Sequence, residues 1–167
     1  MQTTPFIAGK RAIAVYPSDN TDIPFPAVVT SGTNSQVIAN VLEDATVDFN
    51  ALGVTVGDIV YNTTAGQEAS AQVIAIPTGL GGTILALSDD IFLTVPATYS
   101  IYTSNLVSGN EGCIVYVGDT AVNTVKVTTI SGDVVTFSNI QLGGYVPCVV
   151  ARVWKTGTSA TQLIAIW

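Results

Sequence analysis

No stretch of this chain keeps apolar residues at helical spacing over ten residues, and Gly, Thr, Ser and Asn interrupt it every eight to twelve residues. A helix needs a sustained 3.6-residue period, whereas short β-branched runs between turn residues make strands. The pattern therefore predicts an all-β protein of many short strands, a small sandwich or barrel. Expected strands cover 11–16, 27–30, 36–42, 59–62, 68–76, 83–87, 98–102, 113–117, 122–130 and 133–138. Gly32 to Ser35 reads as a loop. Asp48 is placed to cap a helical turn that Gly53 ends. Ser131-Gly132 between two β-rich runs is a hairpin signal, with Phe137 and Ile140 as inward candidates.

The last 23 residues are the most apolar part, YVPCVVARVWKTGTSATQLIAIW. Two runs, 145–154 and 161–167, flank the polar turn 155–160, which predicts a terminal hairpin. Simple alternation puts Val149, Ala151 and Val153 on one face of the first run. Val146, Cys148, Val150 and Trp154 fall on the other. A strand apolar on both faces is covered on both, and here the second cover is expected to be another subunit. The chain end, Leu163 to Trp167, has no polar tail, so Trp167 is expected to pack rather than fray. Arg152 or Lys155 would then serve its terminal carboxylate across the hairpin.

Composition narrows the function. The chain is 48% hydrophobic and only 10% charged, against about a quarter charged in ordinary soluble domains. So uncharged a surface is poorly guarded against association, which points to a homo-oligomer. No apolar run approaches the ~18 residues of a membrane-spanning helix. The net charge of −7 and scattered cations disfavour a nucleic-acid partner. The start MQTTPFIAGKR lacks a secretory pattern, so the chain is expected to stay where it is made. Residues 1–10 read as a flexible N-terminal arm.

Catalytic chemistry has little to work with. There is no histidine, which removes nucleophile–His–acid arrangements and leaves Cys113 and Cys148 without a His base. Both cysteines read as small buried hydrophobes, with a disulfide left open. The adjacent pairs Glu43-Asp44 and Asp89-Asp90 read as solvated turn charges, since neighbours on a strand point apart. Neither pair has the spaced oxygen ligands of a calcium loop, and Gly79-Gly81-Gly82 lacks the Lys and helix of a phosphate cradle. No catalytic, cofactor or metal residue is therefore assigned. Trp154, Trp167 and the six tyrosines could stack on sugars, which keeps a glycan-binding, lectin-like module as the alternative.

Several phrases at the two ends carry a resemblance. They are Ala12-Ile13-Ala14-Val15 with Pro17-Ser18-Asp19-Asn20-Thr21-Asp22, then Tyr116-Val117-Gly118 and Val135-Thr136-Phe137. Pro147 to Val150, Arg152-Val153, Thr156-Gly157-Thr158-Ser159-Ala160-Thr161 and Ile164-Ala165-Ile166-Trp167 complete the set. In these the chain resembles the head-spike base proteins of tailed bacteriophages and of phage-derived gene transfer agents. In that family the phrases lie close together, whereas here about 80 residues intervene. The resemblance implies a β domain built from 11–26 plus 111–167, with 27–110 inserted as a second small barrel-like or sandwich domain. It implies a virion protein assembled in the host cytoplasm, a head-spike base or a capsid decoration protein. Its partners would be its own copies, with five-fold symmetry preferred to three-fold, and virion proteins such as the major capsid protein or a spike fibre. No nucleic acid or membrane is expected. Val149, Arg152, Trp154, Ile164, Ile166 and Trp167 are the expected subunit-interface residues.

Overall fold

A computed structural model describes residues 9–79, 81–104, 112–119 and 122–167. Among these the regular structure is entirely β: β1 (Ala12–Ala14), β2 (Val28–Thr33), β3 (Val41–Glu43), β4 (Ile59–Asn62), β5 (Ala69–Ala75), β6 (Ile84–Leu87) and β7 (Thr98–Tyr102), followed by β8 (Ile114–Val117), β9 (Asn123–Thr129), β10 (Val134–Ile140), β11 (Gly144–Tyr145), β12 (Val150–Val153) and β13 (Leu163–Ile166). All pairings are antiparallel. The expected arm, 1–10, falls outside the described residues except for Gly9 and Lys10.

Residues 28–102 form one six-stranded sheet, ordered β2-β7-β4-β5-β6-β3. Its edges approach each other: the Ser35 amide bonds to the Glu43 carbonyl, and the Ala45 amide to the Ser35 hydroxyl. The sheet thus curls into a barrel-like unit around Leu42, Phe49, Val60, Val73, Leu85, Phe92 and Ile101. Glu43, Asp44, Asp48, Asp58, Glu68, Asp89 and Asp90 belong to this unit, and no lysine or arginine lies between 27 and 104. Its acidic residues alone match the whole net charge of the chain.

Both chain ends build the other unit. A four-stranded sheet, β1-β13-β8-β11, faces a three-stranded one, β10-β9-β12. Val115, Val117, Leu163 and Ala165 from the first meet Val125, Val127, Val150 and Val153 from the second. A third cluster joins the units: Ile13, Ile59 and Tyr61, flanked by Tyr16, Tyr102 and Trp167. The Tyr61 ring lies 4.6 Å from that of Tyr16 and 5.1 Å from that of Tyr102, centroid to centroid.

The structure corrects five local expectations. Residues 145–167 are not a hairpin: β12 pairs with β9, while β13 lies between β1 and β8. The connection between them is too long for a tight turn and is held elsewhere. Thr158 and Ser159 hydroxyls accept from the Lys126 and Thr124 amides, and the Asp119 carboxylate accepts from Thr161. A register shift between Val150 and Arg152 breaks the alternation, so Val150 and Val153 are both buried. Residues 36–40 turn rather than extend, because Asn40 takes a left-handed φ of 57°. β2 continues through Gly32 and Thr33, which were expected in a loop.

The fifth correction is Asp44, which is 3% exposed rather than solvated. Its carboxylate accepts from the Tyr99 hydroxyl at 2.8 Å, the Thr46 hydroxyl at 2.6 Å and the Thr46 amide at 2.9 Å. A Cβ on Gly32 would sit 2.7 Å from that tyrosine oxygen and 2.8 Å from the carboxylate, which explains the glycine inside β2. The Asp48 carboxylate caps the Asn50 and Ala51 amides, and Gly53 ends that turn at a φ of 83°.

Two outcomes are expected. Burial pushes the Asp44 carboxyl up, but the bonds from Thr46 and Tyr99 outweigh it and hold it below the usual range. A depressed folded value contributes stability above the unfolded pKa of ~3.9, lost as pH falls through the folded one. Tyr99→Phe should therefore cost about 1–3 kcal/mol at pH 7, a gap that narrows below about pH 4 in urea unfolding. Equal stability of both proteins at pH 7 would refute this. Replacing 27–110 by a short Gly/Ser linker should leave a β-rich circular dichroism spectrum. The melting temperature should fall, because Ile13, Tyr16 and Trp167 lose their partners; an unfolded product would mean that the two units share one core.

Candidate assembly surface

The six residues expected at an interface lie in different places. Ile164 and Ile166 point outward from the four-stranded sheet, where Leu163 and Ala165 point in. Register extends their row across the sheet. Ala12, Ile166 and Ile114 lie side by side, and next to them Ala14, Ile164, Tyr116 and Tyr145. This outer face carries no charge. Ile114 is 45% exposed, Ile164 38% and Tyr145 49%. The Tyr116 and Tyr145 rings meet edge to face at 5.4 Å. Strand spacing makes the face roughly 15 Å across, the size of a buried interface centre rather than of a full ~800 Å² contact.

Arg152 and Trp154 lie on the outside of the other sheet. The Trp154 indole N–H donates to the Thr128 hydroxyl at 2.8 Å, and the Lys126 ammonium lies 4.3 Å from the ring centroid. Such a ring already holds a cation. Val149 is 42% exposed just before β12. Trp167 turns inward to the seam, its ring edge-on to Phe25 at 6.3 Å.

Arg152 does not serve the chain end. Its Nε donates to Asp22 at 2.7 Å and its Nη1 to the Asp19 carbonyl at 3.0 Å. The Asp19 carboxylate accepts from the Thr156 hydroxyl and amide, which hold it below its usual pKa. Ser18 and Ile23 amides bond to the Val153 and Ala151 carbonyls. The phrase 17–22 and the phrase 152–156 are thus each other's partners, and the segment 18–23 lines the outer edge of β12.

Ile114, Tyr116, Tyr145, Ala12 and Ala14 were missed from the sequence. The alternation of Ile114 and Tyr116 against buried Val115 and Val117 was the available signal. That alternation alone does not say which strand pairs with β8.

A cleft at the seam, lined by Asn20, Asp22, Ile59, Gln72, Ser104 and Arg152, has a volume of about 50 Å³. That is enough for a few ordered waters. Among the described residues no three acidic or cysteine side chains converge. Cys113 and Cys148 are free thiols, and burial pushes Cys113 up to about 12. Comparison with protein-family models, curated proteins and solved structures finds no match.

Trp167 generates one expectation. It is half-buried against both units, so deleting it should cost about 2 kcal/mol, less than the ~3–5 kcal/mol of a fully buried aromatic. A thermal melt of the 1–166 chain measures this, and an unchanged melting temperature would count against its packing role.

Proposed function

We propose that this chain is a structural protein of a phage virion, a head-spike base or capsid decoration protein. It works as a symmetric homo-oligomer through contacts with its own copies and with other virion proteins. The observation that carries the reading is the charge-free outer face of the four-stranded sheet, with Ile114, Ile164 and Tyr145 open to solvent. An uncharged face of this size suits the centre of a subunit contact. The resemblance of the end phrases supports the same reading. Asp19, Asp22, Arg152 and Thr156 within those phrases form one bonded clasp.

The test is composition of the particle. Purified virions from the producing host should contain the chain at a fixed copy number that is a multiple of its oligomer order, measured by quantitative mass spectrometry. Ile164→Lys should reduce that number at least tenfold while the free protein still folds. Particles that lack the chain altogether would sink the proposal.

A further inference from the structure

The three-stranded sheet has two edges, and they are treated differently. The edge of β12 is occupied by 18–23 through the Ser18 and Ile23 amides. Among the described residues the edge of β10 is bare. β10 pairs there only with β9, and it is as long as any strand described. Its sequence, VVTFSNI, holds no charge and no proline. Edge strands in soluble proteins are usually guarded by charge, proline, a bulge or a cover; β10 has only a bulge near its end, between Phe137 and Ile140.

The hydrogen-bonding phase of that edge follows from the hairpin. The Thr129 amide bonds to the Asp133 carbonyl, and Val135 and Phe137 lie opposite Val127 and Val125. Lys126 and Thr124 turn their backbone groups the other way, to Trp154, Thr158 and Ser159. By the alternation of antiparallel ladders, Val134, Thr136 and Ser138 aim their N–H and C=O groups away from β9, into the open edge. Among the described residues these groups have no protein partner. An independent sign is Val135. It lies on the core side, opposite Val127, which is fully buried, and is nevertheless 37% exposed, with no described strand on its other side.

We infer that β10 pairs edge to edge with β10 of a second copy, across a two-fold axis at Thr136. This rests on the reading of the chain as a self-assembling protein and names one of its contacts. The strand is self-complementary in that register. Thr136 faces Thr136, Val134 faces Ser138, and Val135 faces Phe137, a β-branched–aromatic pair of the kind that stabilises sheets. The strand itself holds no acid to oppose Asp133, and the regular register ends at Ser138, before the bulge at Asn139. An extended chain satisfies the open amides and carbonyls, which a flat apolar partner does not. The acidic unit between 27 and 104 has no cation to neutralise a second copy of itself. The contact therefore falls in the end-built unit.

Two variants test it. Thr136→Pro removes an amide that faces only the open edge, so the β9 ladder survives and strand addition is blocked. Light scattering should show its assembly mass halved, with the circular dichroism spectrum unchanged. Thr136→Cys in a Cys148→Ser background should give a covalent dimer under mild oxidation, since paired strands bring Cα atoms ~5.5 Å apart. Unchanged assembly mass in Thr136→Pro, or no covalent dimer from an assembled Thr136→Cys chain, would overturn this contact and leave assembly through the four-stranded face standing. A wild-type chain that is monomeric at 100 µM (a protein concentration of about 10⁻⁴ M, far above a micromolar Kd) would also overturn it. The virion reading is decided separately, by particle composition.

Discussion

The pairing of the first strand with the last is the constraint on which the architecture depends. Ala12, Ile13 and Ala14 align with Ile166, Ala165 and Ile164, and β13 has β8 on its other side. The end of the chain is therefore interior to a sheet, and unzipping it breaks two ladders at once. With both ends fixed together, everything between β1 and β8 has to leave and return at nearly the same place. A long excursion adds little to the entropy of closing such a loop, since that term grows only with the logarithm of length. The barrel-like unit fits this geometry. It supplies its own core and touches the remainder mainly through Ile59, Tyr61 and Tyr102.

What was legible in the sequence was local. β-branched runs and turn residues announce strands because the extended backbone and its punctuation are chosen within a few residues. So β4, β5, β6, β7 and the β9–β10 hairpin fell where expected. Partnership is not local. Nothing within 161–167 says that Ile164 lies beside Tyr116 rather than beside Arg152, and the nearest plausible partner was the wrong one. Single residues also overrode the pattern: Asn40 reversed a run that reads as extended, and the β12 bulge placed Val150 and Val153 on the same side. Asp44 was misread for a related reason. Its burial depends on Tyr99, which is remote in sequence.

Charge and apolar surface are partitioned between the units. The barrel-like unit is acidic throughout, and the end-built unit balances its acids against all five cations. So acidic a unit repels a second copy of itself, most strongly at low salt. The two sheets of the balanced unit differ as well. One shows only Ala, Ile and Tyr outward, while the other shows Lys126, Thr128, Arg152 and Trp154.

The tryptophans give this layout an optical consequence. Both belong to the end-built unit, and the barrel-like unit holds tyrosines and phenylalanines but no tryptophan. Trp154 is bound to a hydroxyl and faced by an ammonium, whereas Trp167 sits in the seam beside Phe25. Emission excited at the red edge of the indole band therefore reports on one half of the molecule. Melting of the barrel would be dark in that channel until it reaches the seam and wets Trp167. Tyr61, Tyr99 and Tyr102 lie in the barrel and Tyr16, Tyr116 and Tyr145 outside it, so a part of the tyrosine signal that changes ahead of tryptophan would mark the barrel without any label being added.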